Sequence, residues 1–266
     1  MFESPVPAGA GWPDDPADSA TDVAETAQDV ARLAADADLP VLDARVSVCR
    51  ACPNLVAWRE EVARDKRRSF SGQPYWGRPV AGWGPADARV LLLGLAPAAH
   101  GGNRTGRIFT GDRSGDWLFS ALHRVGLAER STSEHAGDGQ RLLNTRMVAT
   151  VRCAPPANKP STTERDTCEP WLHSELALLA PTVRAVVCLG GYAWSAALRG
   201  LRAVGYDVPR PQPGFGHAAE AVLTNPSGDD VLLLGCYHPS QQNTFTGKLT
   251  EPMLDAVLRR AHDHAG

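Results

Sequence analysis

Four short apolar runs, each bounded by turn residues, constrain the fold of this chain more than any other feature of its sequence. Each run is rich in Val or Leu, as is typical of strands that are buried on both faces. The runs lie at residues 89–95, 147–152, 184–189 and 231–236. Helical patterns separate them, at residues 116–126, 163–179 and 194–202. Strands that alternate with helices predict a mainly parallel sheet with helices on both faces.

This fold class also predicts where a functional site lies. In open parallel sheets, ligands bind beyond the C-terminal ends of the strands. The segments that follow the first, second and last predicted strands are residues 96–112, 153–160 and 237–250. These three loops are therefore the candidate site.

Composition excludes several classes of protein. With 43% hydrophobic and 21% charged residues, the chain is neither disordered, collagen-like nor a coiled coil over most of its length. No apolar run is long enough to span a membrane, and the N-terminus lacks a secretory signal. The net charge of −3 argues against a strongly basic nucleic-acid binder.

The charge is unevenly distributed. Residues 1–40 hold nine of the 30 acidic residues and one of the 27 basic ones, so residues 41–266 carry a net charge of about +5. The acidic segment is also rich in Ala and Pro, which favours a flexible N-terminal arm. The helical spacing of Val23, Val30 and Leu33 leaves a short amphipathic helix as the alternative. Residues 41–266 are long enough to form a single domain with its own core.

Four of the six cysteines have a pattern that suggests metal ligands. Cys49 and Cys52 form a C-x2-C pair, Cys153 follows the second predicted strand, and Cys168 lies in the next helical pattern. Four thiolates suit zinc or an iron–sulfur cluster. The spacing does not match two C-x2-C knuckles, so the pattern alone does not choose the metal, and four unrelated buried thiols are the alternative. The other two cysteines, inside predicted strands, are expected to be core residues.

The glycine-rich loop after the first strand carries the first set of candidate site residues. Phe109 is its only aromatic residue, and it is either a stacking platform for a planar ring or an anchor for the loop. Asp112 precedes a predicted helix, so it is either an N-cap or a carboxylate that orients water. His100, Asn103 and Arg104 are expected near the pocket mouth or a phosphate.

The loop after the last strand carries the second set. His238 follows the strand directly, so its side chain is expected to point into the crevice, where it can donate a hydrogen bond to a developing anion. Residues 241–248 are amide, hydroxyl, Gly and Lys residues that suit phosphate contacts, and Phe245 is a candidate wedge between bases. A hydrophilic surface loop is the alternative. The basic run at residues 66–68 is more typical of a solvated face.

Taken together, these stretches resemble the family 5 (UDGb) branch of the uracil-DNA glycosylase superfamily. The resemblance rests on GLAPAAHG at residues 94–101, TGD at 110–112, VRCAPPANKP at 151–160 and HPSQQNTFTGKLT at 238–250. YWGRPV at 75–80 and FGH at 215–217 also resemble family signatures. It extends from about residue 45 to 258 and leaves residues 1–40 outside.

The resemblance implies a four-stranded parallel α/β/α sandwich and a [4Fe–4S] cluster at the four cysteines, with zinc as the alternative metal. Related enzymes often carry an Asp or Glu in the first motif, but Leu-Ala-Pro-Ala stands at residues 95–98. Asp112 is the expected substitute. The Asn that often reads uracil on the second strand is also missing, since Ala149 and Thr150 stand there, and Asn158 is the polar candidate.

The function that the resemblance implies is hydrolysis of the N-glycosidic bond of uracil, and of hypoxanthine and other damaged bases, in double-stranded DNA at the start of base excision repair. We expect a monomer in the bacterial cytoplasm, associated with the nucleoid through DNA and not with a membrane. The expected catalytic residues are Asp112, Asn158 and His238, and the expected substrate-binding residues are Ala96, His100 and Phe109. The expected DNA-binding residues are Asn103, Arg104, Ser240, Gln242, Asn243, Thr244, Phe245 and Lys248.

Two other functions remain compatible with the residues. One is a non-catalytic module that binds damaged DNA, which the missing motif carboxylate favours. The other is a metal-stabilised hydrolase of a small nucleotide that uses Asp112 and His238.

Overall fold

A five-stranded sheet lies between two layers of helices in the computed structural model, which describes residues 3–10 and 12–266. The strands are β1 (Val90–Gly94), β2 (Thr145–Ala149), β3 (Ala185–Leu189), β4 (Glu220–Thr224) and β5 (Asp230–Cys236). The helices are α1 (Ala27–Ala35), α2 (Leu39–Val48), α3 (Pro53–Asp65), α4 (Gly102–Thr105), α5 (Arg113–Arg124), α6 (Thr162–Leu179), α7 (Gly191–Ala203), α8 (Gln241–Phe245) and α9 (Glu251–Ala265). Short 3-10 turns occur at Arg68–Phe70 and Pro156–Asn158.

The sheet is mixed, which corrects the expectation of four parallel strands. Strands β2, β1, β3 and β5 lie side by side in that order and are parallel, whereas β4 pairs antiparallel with β5 at the edge. The sequence hides β4 because this edge strand is mostly exposed and has no compact apolar run. Strand β2 is also shifted from the prediction, since it begins with Thr145 and the charged Arg146.

The sheet separates two hydrophobic cores, as a three-layer sandwich requires. Successive residues of β1 alternate between them: Leu92 packs in the core under α5 and α9, whereas Leu91 and Leu93 pack in the core under α1, α2, α6 and α7. Every residue of β1, β2 and β3 is buried. This double burial explains why the central strands read as continuous apolar runs.

The N-terminal segment is not the flexible arm that its composition predicts. Val6 and Ala24 are buried, α1 packs against α6, and its apolar residues Val30 and Leu33 enter the core. A capping box at Thr26 starts α1. The composition is misleading because most acidic residues of the segment are exposed, whereas the few apolar residues of α1 have helical spacing toward the core.

A second attachment of the N-terminal segment is ionic. The guanidinium of Arg78 donates to both carboxylate oxygens of Asp15, at 2.8 and 2.7 Å. Both side chains are almost fully buried. A bidentate pair of this kind adds geometric specificity to the attachment.

A buried ion network joins β2 to α6 and α2. Glu175 of α6 accepts hydrogen bonds from Arg146 Nε at 2.6 Å and from Arg152 Nη2 at 2.5 Å. Arg146 also donates to Asp43 of α2 at 2.7 Å. Burial alone would raise the pKa of Glu175, but the two arginines outweigh burial and lower it. Gly82 passes so close that a Cβ there would collide with Glu175 Oε1.

Within residues 3–10 and 12–266, no helix has both the length and the apolar character needed to cross a membrane.

We predict that Glu175→Gln lowers the free energy of unfolding by about 3–5 kcal/mol, because the buried guanidinium of Arg152 loses its carboxylate and that of Arg146 keeps Asp43 but loses Glu175. Glu129→Gln is the matched control, since Glu129 pairs with Arg141 on the surface and such pairs contribute less than about 1 kcal/mol. Urea unfolding of both variants measures the difference. Equal midpoints and slopes for the two variants would show that the network does not stabilise the fold.

Candidate active site

The loops after β1, β2 and β5 meet at one edge of the sheet, as the fold class predicts. They border a cavity of about 1170 Å³. His100 and Asp112 come from the loop after β1, Asn158 from the loop after β2, and Gln241 from the segment after β5. Three segments that are distant in sequence therefore contribute polar side chains to a single cavity.

Asp112 is a helix cap and a cavity residue at once. Its side chain accepts a hydrogen bond from the Gly115 N–H at 3.0 Å and caps α5, and the same residue lines the cavity. Gly101 lies against it, since a Cβ there would be 2.5 Å from Asp112 Oδ2. Burial raises the pKa of Asp112 above the ordinary value of an aspartate. The two alternatives that the sequence left open are thus compatible.

Phe109 anchors the loop, which is one of the two roles that the sequence left open. The residue is only 8% exposed, and its ring packs over Gly94, where a Cβ would lie 2.5 Å from it. The ring also lies beside His238, with the two ring centres 6.0 Å apart. The backbone of Phe109 is left-handed, with φ of 50°, which is uncommon for a bulky residue and indicates a tightly constrained loop.

His238 follows β5 directly and is half-buried beside Phe109. Burial lowers the pKa of His238 to about 4, so its imidazole is neutral at pH 7. Its backbone carbonyl accepts a hydrogen bond from Asn243 Nδ2 at 2.8 Å. Ser240 caps the short helix α8 that follows. The turn that carries the imidazole is therefore held by its own loop.

The His238 loop and the Asp112 turn are in contact. Phe109 and Arg113 flank Asp112 on either side. Phe109 faces His238, and the guanidinium of Arg113 lies 4.6 Å from the ring centre of Phe245 in α8. The acid and the imidazole are thus at the same edge of the sheet, although neither His238 nor Phe109 lines the large cavity.

Asn158 lines the cavity from the loop after β2. It is exposed and has a left-handed backbone with φ of 55°, directly after Ala157 with φ of 50°. Asn tolerates this conformation better than most residues. Ala96, the remaining predicted substrate-binding residue, is half-buried in the turn after β1 and packs against the core under α6.

Two predicted DNA-binding residues use their side chains within the protein, although one of them, Arg104, also lines the large cavity. Asn103 is fully buried, and its Nδ2 donates to the backbone carbonyl of Arg59 at 3.1 Å. Arg104 is 8% exposed, and it donates from Nε to the His100 carbonyl at 2.8 Å and from Nη2 to the Gly111 carbonyl at 2.7 Å. The glycine-rich loop forms α4, which turns both side chains inward to brace the loop.

The predicted DNA-binding residues after β5 divide into two groups. Ser240, Asn243 and Thr244 are half-buried, and their side chains bond within α8 and its turn. Gln242, Phe245 and Lys248 are exposed, and Phe245 has 65% of its surface in solvent. Only the second group has side chains free to contact a macromolecule.

One wall of the cavity has no counterpart in the sequence-based prediction. It is formed by Trp12 and Pro13 of the N-terminal segment and by Ser133, Glu134 and His135 between α5 and β2. The rings of Trp12 and His135 meet edge to face, with centres 6.2 Å apart. No periodicity or motif marks either segment, and the aromatic residue in an otherwise acidic segment is the only signal that could have suggested it.

The four predicted metal ligands converge on a second, small cavity. Cys49, Cys52, Cys153 and Cys168 line it together with Arg59 and Arg152. Arg59 Nη1 donates to Cys153 Sγ at 2.9 Å, and the Arg152 N–H donates to Cys168 Sγ at 3.4 Å. Burial raises the pKa of Cys49 to about 11 and that of Cys52 to about 12. These thiols are therefore protonated at neutral pH unless a bound metal displaces the protons.

The surroundings of the four sulfurs offer hydrogen-bond donors to a negatively charged group. Three buried guanidinium nitrogens, Nε of Arg59 and both Nε and Nη1 of Arg152, have no hydrogen-bond partner. In the part of the chain that the structure describes, no three His, Cys, Asp or Glu side chains are close enough together to hold one metal ion. Unpaired donors beside four cysteines fit the negative charge that a thiolate-bound metal group carries.

Comparison with known proteins agrees with this geometry. The family model for the uracil DNA glycosylase superfamily matches residues 81–262. A type-5 uracil-DNA glycosylase of Mycobacterium tuberculosis (strain CDC 1551 / Oshkosh) is 56% identical over 266 residues, which is all of this chain and 96% of that protein. The similarity therefore includes residues 1–40, which the sequence motifs leave out.

More distant relatives carry the same description. The type-5 uracil-DNA glycosylase of Thermus thermophilus is 48% identical over 223 residues, 83% of this chain and 95% of that protein. That of Pyrobaculum aerophilum is 43% identical over 222 residues, 84% of this chain and 91% of that protein. The chain thus belongs to the uracil DNA glycosylase superfamily.

Proposed function

We propose that this protein is a hydrolase that removes uracil from double-stranded DNA by cleaving its N-glycosidic bond and thereby starts base excision repair. The observation that carries the proposal is the placement of Asp112 on a large cavity and of His238 beside Phe109 at the same edge of the sheet. The relatives that share 43–56% of their residues with this chain are named for this activity. We also propose that the enzyme acts as a monomer, in which one chain supplies the residues of the site.

The reaction begins with extrusion of the damaged nucleotide from the duplex. Extrusion costs a few kcal/mol, and least for a mispaired base. The exposed ring of Phe245 is positioned to fill the gap, as apolar wedges do in other DNA-bending proteins. Lys248, exposed in the same segment, contacts a backbone phosphate. Such contacts make binding depend on salt concentration.

Hydrolysis then requires a water molecule at C1′ of the sugar. Asp112 orients this water with the help of Asn158, since both residues line the cavity. The burial that raises the pKa of Asp112 also makes its carboxylate a better hydrogen-bond acceptor for water. Its anionic charge stabilises the oxocarbenium character that develops on the sugar as the bond breaks.

The departing base takes the electron pair of the broken bond and becomes an anion. Neither His238 nor Phe109 lines the large cavity, so the mechanism requires the base to reach past the cavity lining to this pair of rings. There His238 donates a hydrogen bond to the base, and the exposed part of the Phe109 ring contacts it. A neutral imidazole suits this task, because its N–H stabilises the anion without delivering a proton outright. Preorganised donors of this kind contribute about 3–4 kcal/mol to transition-state stabilisation.

We propose a broad substrate range for the same pocket, including hypoxanthine and other damaged bases. The proposal is supported by the lack of polar side chains at two places. The turn after β1 has no carboxylate at residues 95–98, and Ala96 and Ala149 stand where polar side chains would select one base. A pocket with few fixed polar partners rejects few ligands, because few groups remain unpaired when the ligand changes.

We propose that the four cysteines hold a [4Fe–4S] cluster, with zinc as the alternative. The cluster supplies a structural cross-link and takes no part in bond cleavage. Cys49 and Cys52 directly precede α3, Cys153 follows β2, and Cys168 lies in α6. The residues around them hold the ligands in place, with Arg59 bonded to Cys153 and the backbone of Arg152 bonded to Cys168.

We predict that Asp112→Asn lowers single-turnover uracil release by about 10²–10⁴-fold. Asn caps a helix as well as Asp, so the variant keeps the fold of α5 and loses only the carboxylate. Release from an end-labelled duplex measures the rate, and thermal unfolding checks the fold. Asp112→Ala, which removes both the cap and the carboxylate, is the control and should also lose about 1 kcal/mol of stability.

Retention of near-normal rates in Asp112→Asn would remove the carboxylate from the mechanism. Tight binding of a uracil-containing duplex without release by the unmodified protein would identify a non-catalytic damage-binding module. Hydrolysis of free nucleotides but not of DNA would identify a nucleotide hydrolase.

A second prediction concerns the protonation state of His238. Since burial lowers its pKa to about 4, its ring signal should show no titration midpoint between about pH 6 and 8 in an NMR titration, and release should not fall over this range through its protonation. His238→Ala should slow release about 10²–10³-fold at every pH in the range. A midpoint near 6.5, the ordinary value, would contradict the neutral-donor role.

A third prediction concerns the cysteines. Cys153→Ser should lose iron, inorganic sulfide and visible absorbance, whereas the control Cys188→Ala should keep about four irons and four sulfides per chain. Cys188 is buried within β3, away from the cysteine cavity. Metal analysis and colorimetric sulfide assays measure the contents. One zinc per chain without sulfide would establish the alternative metal.

A further inference from the structure

Tyr75 and His100 form a pair that the mechanism above does not use. Tyr75 is fully buried, and its hydroxyl lies 3.1 Å from Nδ1 of His100, which is in the loop after β1. The same hydroxyl oxygen accepts a hydrogen bond from the backbone N–H of Arg67 at 3.3 Å. The two rings meet edge to face, with centres 6.1 Å apart.

These bonds determine which nitrogen of His100 carries the proton. The Arg67 N–H can only donate, so it occupies one lone pair of the Tyr75 oxygen. If His100 Nδ1 also donated, the buried hydroxyl proton would have no acceptor. Buried donors are nearly always paired, so the hydroxyl donates to Nδ1, and the proton of the neutral imidazole is on Nε2.

The Nε2–H of His100 is available to a ligand. His100 lines the large cavity with Asp112, and no residue in the described ranges accepts a hydrogen bond from Nε2. Burial lowers the pKa of His100, and the charges of Arg67 and Arg104 lower it further. The ring is therefore a neutral donor near two guanidinium groups, although Asp112, Asp116 and Glu134 also line this cavity.

The two guanidinium groups next to His100 favour an anion there. Arg67 is exposed, lines the same cavity, and forms no ion pair with a carboxylate in residues 3–10 and 12–266. Arg104 adds positive charge nearby, but its guanidinium already donates hydrogen bonds to backbone carbonyls of the protein. A phosphate of the DNA backbone is the anion that an extruded nucleotide necessarily brings to the mouth of this cavity.

We propose that His100 Nε2–H and the Arg67 guanidinium form a subsite for one backbone phosphate next to the extruded nucleotide, and that Tyr75 is the positioning residue that fixes the His100 tautomer. The proposal rests on the proposed function, since it assumes that the cavity receives a nucleotide of DNA. It assigns His100 to binding of the strand rather than to cleavage of the glycosidic bond.

The test uses duplexes that contain one 2′-fluorinated deoxyuridine, which resists hydrolysis because fluorine destabilises the oxocarbenium. A neutral methylphosphonate replaces one phosphate at a time around this nucleotide, and fluorescence anisotropy measures the dissociation constant. At one position, the replacement should weaken binding to the unmodified protein by about 10-fold, as expected for loss of a hydrogen bond to a charged acceptor. His100→Ala and Arg67→Ala should be insensitive at that position.

Arg68→Ala is the matched control, because Arg68 is an exposed neighbour outside the cavity lining, and it should keep the sensitivity of the unmodified protein. On cleavable duplexes, His100→Ala should raise KM about 10-fold and change the single-turnover rate at saturating DNA less than about 2-fold. Equal sensitivity of His100→Ala and the unmodified protein at every position would overturn the proposal.

Tyr75→Phe tests the positioning role. Nitrogen-15 NMR should show the Nε2–H tautomer of His100 in the unmodified protein and a mixture of tautomers in the variant. Adding Tyr75→Phe to His100→Ala should cause no further loss of affinity, because Tyr75 acts through His100. Additive losses would show that Tyr75 is merely structural and would overturn its role.

The proposed glycosylase function and the proposed phosphate subsite can be refuted independently of each other. A phosphate position that depends on His100 in a protein that releases no uracil would support the subsite and refute the glycosylase. Normal uracil release with no such position would refute the subsite and leave the glycosylase intact.

Discussion

The paired hydrogen bonds of Glu175 hold the two halves of the functional architecture together. One oxygen binds Arg146 inside β2 and the other binds Arg152 just beyond it, so this single carboxylate fixes α6 against the strand. The strand exit leads directly to Cys153 and then to Asn158, while α6 carries Cys168. Without this pairing, the cysteine cavity and the part of the large cavity at Asn158 would not be held in a fixed relative position. The charges are tolerable in the interior only because each is paired.

Arg59 provides the second connection between the two cavities. Its guanidinium reaches Cys153, and its carbonyl accepts the amide of Asn103, which braces the glycine-rich loop after β1. Helix α3 is thereby fixed between the cysteines and the loop that carries Phe109 and Asp112. The cysteines line a different cavity from Asp112, yet they share contacts with the segment that carries it. Contacts around the cysteines can therefore affect the geometry of the proposed active site.

Local patterns in the sequence predicted those features that depend on residues close together in the chain. Apolar runs identified the four parallel strands because those strands are buried on both faces, and the same principle missed β4, which is exposed at the edge. The convergence of the cysteines was also predicted. Asn103 and Arg104 were assigned to DNA because nothing in a glycine-rich loop reveals that it coils into α4. The wall at Trp12 and His135 depends on a contact between segments that are far apart in sequence, which no pattern encodes.

Asp112 has a structural role that is independent of any catalytic one, because its side chain caps the first turn of α5. A descendant of this protein that no longer repaired DNA would still be under selection to retain an acceptor there, because a helix start without one is weaker. An aspartate at this place in a newly sequenced genome is thus weak evidence for a working enzyme. Phe245 is mostly in solvent, and its contact with Arg113 lies on the surface, so folding constrains it less. Its loss would be the earlier sign of a lineage that has abandoned repair.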